Sequence, residues 1–188
     1  QGAVHQGVAM EIASYDYADA LELLDRVSAT GRKPLFVALD QVTDPHNLGA
    51  VLRSAGAFGA DGVIIPQRRS TDVNATVWKV SAGAAARVPV AKETNLVRTL
   101  EAFKARGCFV VGLDGNGSVS VDNLNLADQP LVLVTGAEGK GLSRLVSQTC
   151  DEIASINIRA AVESLNAAVA TGIALYEVDR VRRTIQGD

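Results

Sequence analysis

Three short segments hold the side chains from which chemistry can be built. Asp44-Pro45-His46-Asn47-Leu48-Gly49, followed by Arg53, offers a carboxylate, an imidazole, an amide and a guanidinium. Gly136-Ala137-Glu138-Gly139-Lys140-Gly141 sets a carboxylate and an ammonium group in a glycine-rich run. Glu163-Ser164-Leu165-Asn166 adds a second carboxylate, a hydroxyl and an amide. Each lies beyond the carboxyl end of a predicted strand, where open α/β sheets bind their ligands. The glycine run is not a P-loop, because Lys140 is followed by Gly141 rather than Ser or Thr. Gly115-Asn116-Gly117-Ser118-Val119-Ser120 fails the dinucleotide fingerprint, since Ser120 stands at its third glycine position. Taken alone, a glycine run is equally a plain tight turn. His46 is tempting as a base, because an imidazole titrates near neutrality. It sits in a polar turn, however, where a solvent-facing role is the more natural one. Ser164 and Asn166 stand where the last helix is expected to begin, so each can cap that helix or reach a ligand.

The elements that must position these groups alternate in type. A lead-in helix is expected from about Tyr17 to Ala29, capped by Asp16 and stopped by Gly31. Apolar runs at Leu35–Asp40, Gly62–Pro66, Cys108–Leu113 and Leu131–Gly136 read as buried strands, and Glu152–Ile158 as a further strand. Helices are expected over 48–58, 73–86, from a Thr94 cap to Arg106, over 143–148, and from about Glu163 to Arg183. In the last of these, Leu165, Val169, Gly172, Ile173 and Tyr176 recur at helical spacing. This alternation predicts an α/β fold: an open, mainly parallel sheet with helices on both faces.

Composition bounds the rest. The chain has 188 residues, 47% of them hydrophobic and only 4% aromatic, so aliphatic side chains and alanine must fill one ordinary-sized core. No apolar run is long enough to span a bilayer. Cys108 and Cys150 form no CxxC pair, which argues against a metal site; buried, reduced thiols are expected, consistent with a cytoplasmic location. The formal net charge of −3 opposes nucleic-acid binding unless cations cluster locally. Arg68, Arg69, Lys79 and Arg87 make one basic stretch, which is otherwise a solvated face. The first residue is not Met, and the opening residues look like a linker, so a fragment or processed chain is expected.

Together the three segments, in this order and spacing, resemble the SpoU (TrmH-like) family of RNA ribose 2'-O-methyltransferases. The motifs read DPHNLGAVLRSAGAFGADGVI, LVLVTGAEGKGL and SINIRAAVESLNAAVATGIALYE. The likeness runs from about Pro34 to Arg183 and is strongest to the bacterial 23S rRNA guanosine 2'-O-methyltransferase group, whose HQG lead-in is matched by His5-Gln6-Gly7. It implies a division into a linker and lead-in helix at 1–33 and a catalytic domain at 34–188, with an N-terminal RNA-binding domain absent from this chain. It also implies a SPOUT-type fold with a C-terminal trefoil knot, and a homodimer whose active site spans the interface. The implied cofactor is S-adenosyl-L-methionine, with S-adenosyl-L-homocysteine as product and no metal. Positions matching the cofactor loops are Gly136, Gly139, Ile156, Ile158, Ser164 and Leu165; without the motifs, the apolar ones would read as ordinary core. Arg53 matches the catalytic arginine. Since a guanidinium stays protonated at neutral pH, holding a phosphate or a developing oxyanion suits it better than acting as a base. Asn47 supports it, Glu138 orients or accepts a proton, and Asn166 contacts the site. Arg53, Arg68 and Arg69 would meet the RNA. The alternatives are the same chemistry on tRNA, or a non-catalytic RNA-binding or assembly module. One departure stands out: the usual Ile-Pro-Met of the third motif is Ile156-Asn157-Ile158. Loss of the proline frees a backbone N–H and loosens the loop, which bears on cofactor affinity.

Overall fold

Alternation of side-chain direction along the strands divides the core in two. In β1 (Leu35–Asp40), Leu35, Val37 and Leu39 face one layer of helices, while Phe36 and Ala38 face the other. The computed structural model, which describes residues 14–159 and 164–187, places β1 in a seven-stranded, wholly parallel sheet. With β2 (Gly62–Pro66), β3 (Val90–Glu93), β4 (Phe109–Leu113), β5 (Val119–Ser120), β6 (Leu131–Gly136) and β7 (Glu152–Ser155), the order is β3-β2-β1-β6-β4-β7-β5. β1 and β6 are buried at every position, as central parallel strands covered on both faces must be. Helices α2 (Pro45–Ala57), α3 (Ala75–Val80) and α6 (Ala167–Gln186) cover one face. Helices α1 (Ala20–Ser28), α4 (Leu96–Ala105) and α5 (Arg144–Thr149) cover the other. The expected open parallel sheet with helices on both faces is therefore present. None of the described helices is long and apolar enough to cross a membrane.

Several boundaries differ from expectation, each for a local reason. Asp19, not Asp16, caps α1, accepting from the N–H groups of Leu21 and Glu22 at 2.9 Å each. Just before it, Ala18 pairs with Ala91 and covers the outer edge of β3. Asn95, not Thr94, caps α4. The helix expected over 73–86 breaks after Val80. Ser81 turns its hydroxyl onto Trp78 O, Gly83 takes a left-handed φ of 88°, and only a 3-10 turn follows at Ala84–Ala86. The last helix begins at Ala167; Glu163 and the HQG lead-in lie outside the described residues. The segment joining β7 to α6, which would thread the implied knot, includes 160–163, also outside them. At its far end α6 is anchored by Arg182, whose guanidinium donates to the carbonyls of Lys33, Pro34, Ala127 and Gln129 at 2.7–3.2 Å.

Candidate active site

The carboxyl ends of β1, β4 and β6 open toward the same side of the sheet, and the chemistry-bearing residues gather there. Asp44 caps α2 by accepting from His46 N at 2.9 Å, with Pro45 pre-set for the first turn. That hydrogen bond, followed by the His46 ring, holds the Asp44 carboxyl below its ordinary range. His46 itself is exposed, pairs among the described residues with Asp44 alone, at 3.1 Å, and lines none of the clefts described below, so the structure places it against the Asp44 cap rather than in a site. One turn inward, Asn47 is buried and aims at the glycine-rich loop.

Asn47, Glu138 and Asn166 meet although they are distant in sequence. Asn47 Nδ2 donates to Glu138 Oε1 at 3.0 Å, and Asn166 Nδ2 donates to Asn47 Oδ1 at 2.9 Å. Asn166 Nδ2 also donates to Glu138 Oε1. The Ala167 N–H reaches the same oxygen at 3.4 Å, so one carboxylate oxygen takes three donors while Oε2 takes part in no hydrogen bond among the described residues. Meanwhile Asn166 Oδ1 accepts from Ala168 N and Val169 N at 3.0 and 3.2 Å. The residue thus does both things its position suggested, capping α6 and joining the network. Beneath it, the hydroxyls of Thr135 and Thr171 lie 2.7 Å apart and fasten α6 to β6.

Beside this network is a cavity of about 480 Å³, lined by the segments 113–116 and 135–141 together with Ala154, Ile156, Ile158, Ser164, Leu165, Ala167 and Ala170. All six residues matched to the cofactor loops line it: Gly136, Gly139, Ile156, Ile158, Ser164 and Leu165. The two glycines serve its loop in different ways. A Cβ on Gly136 would come within 2.2 Å of the Gly141 backbone, so Gly136 is demanded by the tight turn in which Gly141 N donates to Ala137 O. Gly139 turns the loop at a φ of 72° with open space around it. The strand expected to continue to Ile158 ends at Ser155, because the chain leaves the sheet to wall the cavity. Asn157 partly replaces the missing proline as a restraint, donating from Nδ2 to Ser120 Oγ at 3.0 Å.

Sequence reasoning missed three contributors. Asp114 and Asn116 line the cavity from the loop after β4, a strand end whose Asp-Gly-Asn-Gly sequence was a visible signal. Asp40, buried at 5% exposure, accepts from Ser143 N at 2.6 Å and closes the glycine loop against β1. Lys140 faces both this cavity and a second cleft that also includes Asn47, Glu138 and Arg69. Arg53 lies elsewhere: it is exposed on α2 and lines none of these spaces within one chain. Arg68 is exposed in the loop after β2. No cluster of potential metal ligands occurs among the described residues. Cys108 is buried, but Cys150 is only partly so, with its thiol donating to Val146 O at 3.2 Å.

This arrangement has close parallels. An uncharacterised tRNA/rRNA methyltransferase of Mycobacterium avium is 54% identical over 181 residues, which are 96% of this chain and 58% of that protein. The chain thus spans a little over half the length of such relatives. The SpoU methyltransferase AviRb of Streptomyces viridochromogenes, solved with AdoMet, superposes with a TM-score of 0.76 at 31% identity, over 81% of this chain and 62% of AviRb. The A. aeolicus TrmH/SpoU tRNA modifying enzyme gives 0.72 at 29% identity, over 88% and 86% of the two chains. Since the SpoU rRNA methylase family pattern also matches residues 34–176, which include Asn47, Glu138 and Asn166, the chain belongs to that family.

Proposed function

We propose that this chain transfers a methyl group from S-adenosylmethionine to a ribose 2'-hydroxyl of RNA, a guanosine of large-subunit 23S rRNA, in the cytoplasm and as a homodimer. The observation that carries it is the Asn47–Glu138–Asn166 network, whose Glu138 lines both the 480 Å³ cavity and the neighbouring cleft. The cavity suits the cofactor. Its volume lies within the roughly 300–1,000 Å³ of small-molecule sites, and Ile156, Ile158 and Leu165 offer apolar walls for an adenine while the Asp114 carboxylate can face a cation. When bound there, S-adenosylmethionine supplies an electrophilic methyl group.

The chain's own residues do the rest. Glu138, held on one oxygen by three donors, keeps its other oxygen to orient the hydroxyl or take its proton. Asn47 and Asn166 fix that carboxylate, so no reorganisation is needed when charge develops. Arg53, exposed on α2, would serve a site shared with a second subunit, holding a phosphate or the developing oxyanion. The relatives' names cover both tRNA and rRNA, and the A. aeolicus enzyme modifies tRNA, which favours tRNA as a second reading. Calorimetry with S-adenosylhomocysteine, then tritiated methyl transfer to unmodified 23S rRNA and tRNA transcripts, tests both. Saturable binding and ribose methylation of the rRNA are expected. Absence of heat and of any thermal shift at saturating ligand would refute the cofactor assignment.

A further inference from the structure

The cofactor cavity has a neighbour. Ala137, Glu138 and Lys140 form a wall common to that cavity and to a cleft of about 470 Å³ at the carboxyl end of β1. The other side of the cleft is made by Gln41, Val42, Thr43, Asp44, Asn47 and Arg69. Among the described residues, three that are not glycine have a left-handed backbone: Gln41 at φ 61°, Arg69 at 58° and Ala82 at 50°. Two of the three line this one cleft. A Cβ is disfavoured in that conformation, and glycine is the residue that turns most readily there. The chain instead places a long amide and a guanidinium at the two positions, and neither group takes part in the hydrogen bonds or ion pairs among the described residues. Strain retained beside an open cleft, with polar groups left over, is the pattern of a ligand site rather than of a packed turn.

We propose that this cleft receives the target nucleotide, with the Gln41 amide bonding the edge of its base and Arg69 and Lys140 holding its flanking phosphates. The inference rests on the methyltransferase reading and extends it to the acceptor. An amide carries both donor and acceptor and so can distinguish base edges, whereas cations recognise phosphate whatever the sequence. With base and phosphates held by this lining, the ribose falls against Asn47 and Glu138, which line the same cleft and are hydrogen-bonded to each other, Glu138 standing on the wall shared with the cofactor cavity. A chain of net charge −3 needs such local cations to hold an anionic substrate.

The left-handed backbone makes the test clean, since glycine should relieve strain at both positions. Gln41→Gly and Arg69→Gly are expected to keep or raise the melting temperature and to bind S-adenosylhomocysteine as the parent chain does. Methyl transfer to 23S rRNA and tRNA transcripts first locates the modified nucleotide. Four transcripts with each base at that position then measure discrimination. Gln41→Gly should lower base discrimination about tenfold. Arg69→Gly should weaken RNA binding for all four bases alike and reduce its salt dependence by about one phosphate contact. Unchanged discrimination in Gln41→Gly, or a parent chain indifferent to the base, overturns the role of Gln41. Unchanged RNA binding and salt slope in Arg69→Gly overturns the phosphate assignment. Either result leaves the methyltransferase reading standing if the parent chain binds cofactor and transfers methyl. A chain that binds cofactor but transfers to neither RNA defeats both.

Discussion

Glu138 and Arg53, two polar residues that the motifs single out, are held very differently. Glu138 is fixed by two amides and a backbone N–H, while Arg53 is exposed and lines neither cleft of its own chain. If Arg53 contacts the reacting RNA, Arg53→Ala should lower turnover about a hundredfold or more and leave S-adenosylhomocysteine binding nearly unchanged. Lys should rescue poorly, because the planar two-pronged contact is lost. Near-normal kcat in the Ala variant would remove Arg53 from that role. The thiols give a second expectation at this scale. Burial disfavours the charged thiolate and pushes both Cys108 and Cys150 up to about 11, with Asp151 adding to the effect at Cys150. Both should therefore resist iodoacetamide in the folded protein at pH 7.5 and gain reactivity only as the pH climbs toward that value. Rapid labelling of native protein at neutral pH would contradict the burial.

At the scale of elements, sequence pattern revealed what depends on continuous burial. Leu35–Asp40, Gly62–Pro66 and Leu131–Gly136 are strands with the expected bounds, because strands covered on both faces read as apolar runs. β3 and β5 escaped notice. Only Val90 and Ala91 of β3 are buried, and β5 is two residues at the far edge of the sheet. The motif residues were legible as a set, but their mutual contacts were not: Asn47, Glu138 and Asn166 are brought together by sheet order and by the start of α6, which no local spacing encodes. The same holds for Asp40, which ends an apolar strand and looks like an ordinary strand terminus until Ser143 is seen on it. Gly136 shows a tight contact of local origin, inside the turn that follows β6. With the Gly141 carbonyl carbon 2.2 Å from where a Cβ would sit, Gly136→Ala must push two backbone segments apart. It should destabilise the fold by about 1–3 kcal/mol, as overpacking does, and weaken cofactor binding. Gly139→Ala, in open space, should suffer only the strain of its left-handed φ. Equal denaturation midpoints for Gly136→Ala and the parent chain would show that the turn yields more easily than its geometry suggests.

At the scale of the whole molecule, the surface shared by α2 and α6 sets the last expectation. Val169, Ile173 and Tyr176 on α6 are 50%, 36% and 45% exposed, and with Ala50, Phe58 and Gly172 they line a shallow apolar groove of about 450 Å³. Arg53 projects from the same α2 helix. A second copy bearing the same surface would cover the groove symmetrically, as two-fold dimers do, and could bring Arg53 to the partner's cofactor cavity. Ile173→Asp should then yield monomers by light scattering at micromolar concentration and abolish transfer, while melting as a folded unit. A parent chain that is already monomeric at that concentration would sink the dimer. Complementation tests the shared site more sharply. Arg53→Ala retains an intact cavity, and Leu165→Asp puts a carboxylate into the apolar wall of the cavity while keeping Arg53. Each variant alone should be inactive. Mixed and re-equilibrated in equal amounts, half of the dimers would be mixed, and one of the two sites in each would combine an intact cavity with an intact Arg53. About a quarter of the parent activity should therefore return if the site is built across a two-fold interface. If Arg53 instead serves the cavity of its own chain, no mixture contains an intact site and activity stays at zero.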